Sequence, residues 1–184
     1  MTGDRTTQHQ QMEMITEPLI GGDFTLTDQN GHAVRASDFR GRIMLVFFGF
    51  THCPDICPVT MANLSQAMTL LGDKADQVAP IFITVDPERD TPPVLADYLS
   101  HFDARFVGLT GTSDQIKAVA AAYKSYYADH AMPIQEGHHH AGEYNVEHSA
   151  FIYLMGMDGK YVRLFPNNAE PQDIARGVER VLAR

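Results

Sequence analysis

Apolar and polar positions alternate along this chain so as to lay out strands and helices in turn. Ile43 to Phe50 is a continuous apolar run rich in β-branched and aromatic residues, the pattern of a strand buried on both faces. Ala79 to Val85 repeats that pattern, and Arg105 to Leu109 reads as a shorter strand. Between the two long runs, Met61, Leu64, Met68 and Leu71 recur at spacings of three and four before Gly72. That spacing predicts an amphipathic helix with a glycine stop. Pro92 opens a second helix with Leu95, Leu99 and Phe102 on one stripe. Thr112 and Gln115 have capping-box spacing and open a third through Ile116, Val119 and Tyr123. Ile174, Val178, Val181 and Leu182 mark the last helix.

Turn signals place a hairpin at each end. Asn30-Gly31 sits inside Phe24 to Arg35, and Asp158-Gly159 joins Val146 to Met155 with Lys160 to Phe165. Strands alternating with helices predict an α/β fold whose mostly parallel central sheet is flanked by helices on both faces, with antiparallel hairpins making it mixed at its ends. Residues 1–20 lack an apolar period and read as a flexible tail; residues 21–184 read as a single domain. One connection is unusual. Tyr126 to Tyr144 is too long for an ordinary loop in a compact domain and holds three consecutive histidines.

Charge narrows the function. Lys and Arg number 14 against 23 Asp and Glu, so the positive footprint that a nucleic-acid binder needs is missing. No apolar run approaches the roughly 20 residues that cross a bilayer, and the first twenty residues do not have the pattern of a secretory leader. The two cysteines are too few for a disulfide scaffold. They lie four positions apart, as a working pair.

That pair sits in Thr51-His52-Cys53-Pro54-Asp55-Ile56-Cys57-Pro58, directly between a buried strand and a helix. Each proline pushes the cysteine before it away from helical geometry, and Pro58 suits a first helical position. Cys57 is therefore expected at or near the N-cap, where the helix dipole would lower its thiol pKa. Three spacer residues give a wider bite than a redox C-x-x-C. Cβ atoms must come within about 3.8 Å for a disulfide, which this loop reaches only by adjusting. Two thiolates so spaced suit a soft metal; with imidazole they favour Cu(I) and also take Zn(II) or Cu(II). His148, at the head of a strand, is the best third donor, although a strand-end histidine with purely structural hydrogen bonds fits its position as well.

Three motifs then resemble the Sco/SenC family, the copper-binding assembly factors of cytochrome c oxidase. They are Phe48-Gly49-Phe50-Thr51-His52-Cys53-Pro54-Asp55-Ile56-Cys57-Pro58, then Thr84-Val85-Asp86-Pro87-Glu88-Arg89-Asp90-Thr91-Pro92, and His148-Ser149 leading into Ala150 to Leu154 with Asp158-Gly159 after it. The resemblance spans about residues 18 to 182. It implies a thioredoxin-like fold and Cys53, Cys57 and His148 as copper ligands. Thioredoxin-like reductases generally carry a proline before the strand beside their cysteines; here no proline lies between Pro133 and Pro166, and His148 stands at that strand's head. The function implied is a metallochaperone that delivers copper, Cu(I) or Cu(II), to the CuA-bearing subunit of cytochrome c oxidase. Another copper chaperone as donor and a thiol reductant protein would be its further partners. A thiol–disulfide oxidoreductase that keeps the CuA cysteines reduced is the alternative. The resemblance also implies a membrane anchor before the tail and a place on the bacterial inner membrane facing the periplasm, or else in the mitochondrial intermembrane space.

The remaining candidates have two readings each. Asp86 and Asp90 follow the second long strand and can face the metal or a partner. Equally, Asp86 can shape the turn at Pro87, Asp90 can cap the helix at Pro92, and Arg89 can pair with either. His138, His139 and His140 offer an accessory metal site or a solvated loop. Met132, Met155 and Met157 are soft donors or packing residues. His52 should point away from Cys53 in extended backbone.

Overall fold

The computed structural model describes residues 20–53, 56–125 and 151–184. Seven strands form one sheet in the order β2-β1-β5-β4-β3-β6-β7. In chain order they are β1 (Thr25–Asp28), β2 (Ala33–Arg35), β3 (Ile43–Gly49), β4 (Val78–Thr84), β5 (Val107–Thr110), β6 (Phe151–Met155) and β7 (Tyr161–Pro166). The helices are α1 (Ile56–Leu71), α2 (Pro92–Leu99), α3 (Ser113–Ala122) and α4 (Pro171–Leu182). The sheet is mixed, and antiparallel pairing exceeds what the apolar runs predict. β3, β4 and β5 are parallel neighbours, whereas β1 pairs antiparallel with both β2 and β5, and β6 with both β3 and β7. The two hairpins cause this, because each inserts a strand against the parallel centre as well as closing on itself. β5 also begins two residues later and ends one residue later than its apolar letters suggest, at Val107–Thr110 rather than Arg105 to Leu109.

Every residue of β3 and β4 is buried, as two-sided coverage requires. Phe47, in register with Phe82 across the parallel pair, belongs to the face that carries Cys57 and Phe165. Gly177 in α4 touches the Phe165 ring there. Gly108 meets Leu95 and Leu99 of α2 on that same face. So α1, α2 and α4 share one side. The opposite side is closed by the end of α3, where Tyr123 stands edge-on to Phe48 at 5.6 Å and to Tyr153 at 5.3 Å. Such tilted pairs add to plain burial.

The Thr112–Gln115 capping box forms in full. Thr112 N–H donates to Gln115 Oε1 at 2.9 Å, and Gln115 N–H donates to Thr112 Oγ1 at 3.1 Å. At the first turn of α1, Thr60 donates to the carbonyl of Asn167 at 3.0 Å. That bond ties the helix behind the cysteine loop to the chain between β7 and α4.

Candidate metal centre

The centre is assembled at the carboxyl ends of β3 and β4, where parallel strands of open α/β sheets characteristically present their ligands. β3 leaves the sheet at Gly49, and Val85 N–H binds the Gly49 carbonyl at 2.8 Å. The chain then turns, with Cys53 N–H donating to the Phe50 carbonyl at 3.1 Å, and re-enters as α1. Cys53 and Cys57 are both buried and both free thiols. Their sulfur groups lie within hydrogen-bonding reach of each other, and the Phe50 N–H donates to the Cys57 sulfur. The turn thus brings the pair together more closely than three spacers alone suggest.

One expectation for Cys57 is corrected. The helix begins at Ile56, so Cys57 lies near the cap, in the first turn, as its prolines suggest. Its thiol is raised, not lowered: burial dominates, with Cys53 and Asp90 adding electrostatic opposition, against the smaller favourable bond from Phe50. Desolvation of a wholly enclosed sulfur outweighs the helix terminus. Metal binding to such a thiol releases its proton.

Gly49 makes room for that sulfur. A Cβ there would lie 2.8 Å from Cys57 Sγ and 2.9 Å from Phe82 Cε2. Gly49→Ala is therefore expected to cost about 1–3 kcal/mol, the usual toll of overpacking, and to displace Cys57. Urea unfolding of the reduced chain checks the first effect and thiol labelling of Cys57 the second.

Asp90 does not cap α2; Thr91 occupies the cap, with no side-chain bond. Instead the Asp90 carboxylate, wholly buried, accepts the Thr51 N–H at 2.9 Å, the Thr51 hydroxyl, and the Thr84 hydroxyl at 2.7 Å. It clamps the start of the cysteine loop to the end of β4. His52 Nδ1 is 3.9 Å from the same carboxylate, and the ring is otherwise half exposed. Asp86 pairs with Arg89, and its N–H donates to Thr84 Oγ1 at 3.0 Å. These contacts fit a carboxylate that shapes the turn at Pro87.

Met155 is no ligand. It is buried in β6 in register with Met44, at the far end of β3 from the cysteines, and packs against Gly21. Met157 is part-exposed at the hairpin turn. His148, His138, His139, His140 and Met132 lie outside the described residues, as does the Tyr126 to Tyr144 connection. Among the described residues no group of three or more His, Cys, Asp or Glu side chains is placed to hold a metal ion. The sequence did not single out Gly49, Thr51 or Thr84 for a role. A glycine ending an otherwise bulky strand signals a close approach, and that cue was available for Gly49.

The SCO1/SenC family model matches residues 12–183. The chain belongs to the SCO1/SenC family. Over 155 residues it is 41% identical to the SCO2-like protein of Rickettsia felis, covering 84% of this chain and 73% of that one. The structure of Bradyrhizobium japonicum ScoI with copper bound superposes with a TM-score of 0.73 at 39% identity, covering 88% of this chain and 99% of that one. BsSco superposes with a TM-score of 0.68 at 25% identity, covering 92% and 98%; it is described as carrying a disulfide switch and as a member of the Sco family of cytochrome c oxidase assembly proteins. The fold is the thioredoxin-like α/β fold of these Sco proteins. Among the described residues no helix is long and apolar enough to cross a membrane.

Proposed function

We propose that this chain is a copper metallochaperone, in which Cys53 and Cys57 as thiolates and His148 as a neutral imidazole hold copper for transfer to the CuA centre of a cytochrome c oxidase subunit. One observation carries the reading: two buried thiols converge at a strand-end crevice, the soft donor pair that Cu(I) prefers. The copper-bound Bradyrhizobium relative supports the choice of metal. β6 enters the sheet beside the end of β3, with Ile152 in register with Phe47, and His148 stands four positions before Ile152 in sequence. The donor pair is already gathered, so capture needs only loss of the thiol protons, and reduced thiols are its precondition. Its proposed place is the periplasmic face of a bacterial inner membrane, with the mitochondrial intermembrane space as the alternative. An upstream copper chaperone would load the site and a thiol reductant protein would maintain it.

A second reading rests on the same proximity of the thiols and on the disulfide switch described for BsSco. A thiolate of the pair attacks one sulfur of an acceptor disulfide, and the other then attacks the mixed disulfide and displaces the acceptor's sulfur. The acceptor leaves with two thiols, and Cys53 and Cys57 end joined.

Anaerobic Cu(I) titration of the reduced protein against a competing chelator tests the ligand set. Wild type is expected to take one tight equivalent. His148→Ala should weaken it by more than about a hundredfold, beyond the range seen when only an outer-shell partner is lost. Changing His138, His139 and His140 together to Ala should leave it unchanged. Equal affinity in His148→Ala would overturn the third ligand and favour the exchange reading.

A further inference from the structure

Between α3 and the hairpin of β1 and β2 lies a cavity for which the copper reading has no use. Its volume is about 490 Å³, within the usual size of small-molecule sites. Phe24 and Thr25 at the head of β1, Arg35 at the end of β2, and Ala118 and Val119 of α3 line it. Thr25 and Arg35 are cross-strand partners, and Ala36 N–H donates to the Phe24 carbonyl at 3.1 Å. The rim is therefore held by sheet pairing. Phe24 and Val119 are buried and give the cavity an apolar floor.

Two opposite charges share this space. Asp23 and Arg35 both line it. Neither forms an ion pair, with the other or elsewhere, among the described residues. Gln115 lines the cavity as well, and its Oε1 is committed to the Thr112 N–H of the capping box. Its NH₂ group is what remains for a ligand. The cavity thus offers a guanidinium and an amide donor to an anion, a carboxylate to a cation, and an apolar floor. A plain carboxylate would meet Asp23 as a like charge, and a plain amine would meet Arg35 in the same way. A molecule with both charges on an apolar body satisfies every group at once. A few polar groups set on an apolar wall are how small-molecule sites fix orientation.

We propose that this cavity binds a zwitterion with an apolar body, an apolar amino acid or dipeptide. The ligand's carboxylate meets Arg35 and the Gln115 amide, its ammonium meets Asp23, and its apolar side chains cover Phe24, Ala118 and Val119. The site is on the α3 side of the sheet, away from the face that carries Cys57, so this binding does not rest on copper.

The test is a titration of the reduced, metal-free chain with leucine and with leucyl-leucine, followed by amide NMR shifts. Wild type is expected to respond at Thr25, Ala118 and Val119, with a roughly millimolar dissociation constant, as suits exposed charges. The tighter of the two probes identifies amino acid or dipeptide as the ligand. The same probe acetylated at its amine, or amidated at its carboxylate, should bind at least about tenfold more weakly. Arg35→Ala should weaken binding about tenfold as well. Its backbone N–H keeps the Asp38 carboxylate at 2.9 Å, so the turn stays in place. Ala118→Phe, at an exposed position of α3, should fill the cavity and abolish the response with the thermal midpoint unchanged. No shift at these amides with either probe would overturn the proposal. So would equal affinity for the capped probes or in Arg35→Ala, the mark of an apolar patch without charge recognition. The same shifts on raising protein concentration alone would give the cavity to a second copy of the chain, and overturn it too.

Discussion

Replacing Cys53 and Cys57 together by serine is expected to abolish tight Cu(I) binding while leaving the fold in place. Cysteine thiolates are soft ligands, and a serine hydroxyl is hard and stays protonated at neutral pH. A variant with imidazole alone therefore loses the pair that makes the crevice selective. The structural cost is small. Serine is slightly smaller than cysteine, and at position 57 its oxygen would inherit the Phe50 N–H that now donates to the sulfur. With that bond kept, destabilisation should stay near about 1 kcal/mol. The chelator titration should read no tight equivalent, and urea unfolding should show a native-like transition. Retention of one tight equivalent would move the copper site away from the cysteines altogether. Cys53→Ser alone should retain weaker, measurable binding through Cys57, because the sulfur enclosed beneath the loop is the one that Gly49 accommodates.

Elements governed by local rules were legible from the letters. The uninterrupted runs through Ile43 and Ala79 became strands buried on both faces. Thr112 and Gln115 formed both bonds of their box, and Asp158-Gly159 turned a hairpin, with Gly159 at a positive φ of 78°. What failed was each inference that let a local rule decide a buried position. Cys57 was expected to be acidified by its helix terminus, but full enclosure reversed the sign. Asp90 has the right letter and spacing to cap α2, yet it binds Thr51, 39 positions earlier in the chain. A carboxylate at a strand end satisfies more donors by clamping two loops than by capping one helix. The sheet read as mostly parallel because apolar runs report burial and not direction; direction came from the hairpins. The packing of Tyr98 on Phe82 had no sequence cue, since it depends on how α2 lies across the sheet.

Asp90→Ala is expected to be the most damaging single change outside the ligands. The carboxylate is wholly buried and takes three donors, the Thr51 N–H and hydroxyl and the Thr84 hydroxyl. Alanine leaves the Thr51 N–H and the Thr84 hydroxyl facing a void, while the Thr51 hydroxyl keeps His52 Nδ1 at 3.3 Å. The Thr84 hydroxyl already donates nowhere else in the clamp, and the Thr51 N–H cannot turn away, because it belongs to the backbone. Unsatisfied buried donors cost roughly 1–3 kcal/mol each, and removing one side of a buried charged network costs about 3–5 kcal/mol. A loss on the order of 3–4 kcal/mol follows, read as a lower urea midpoint with an unchanged slope. The copper affinity should fall as well, by about ten- to a hundredfold, because the clamp fixes the residue two places before Cys53. Asp90→Asn separates geometry from charge. Its amide oxygen can replace Oδ2, which serves the Thr51 N–H and the Thr84 hydroxyl, and its NH₂ can donate to the Thr51 hydroxyl once that group rotates. Asn should therefore stay within about 1–1.5 kcal/mol of wild type and keep most of the affinity. If Asn proved as damaging as Ala, the charge on Asp90 rather than its placement would be what holds the loop. If Ala matched wild type in both midpoint and affinity, the cysteine loop would have to be positioned by its own turn and by α1, and the clamp would carry no weight.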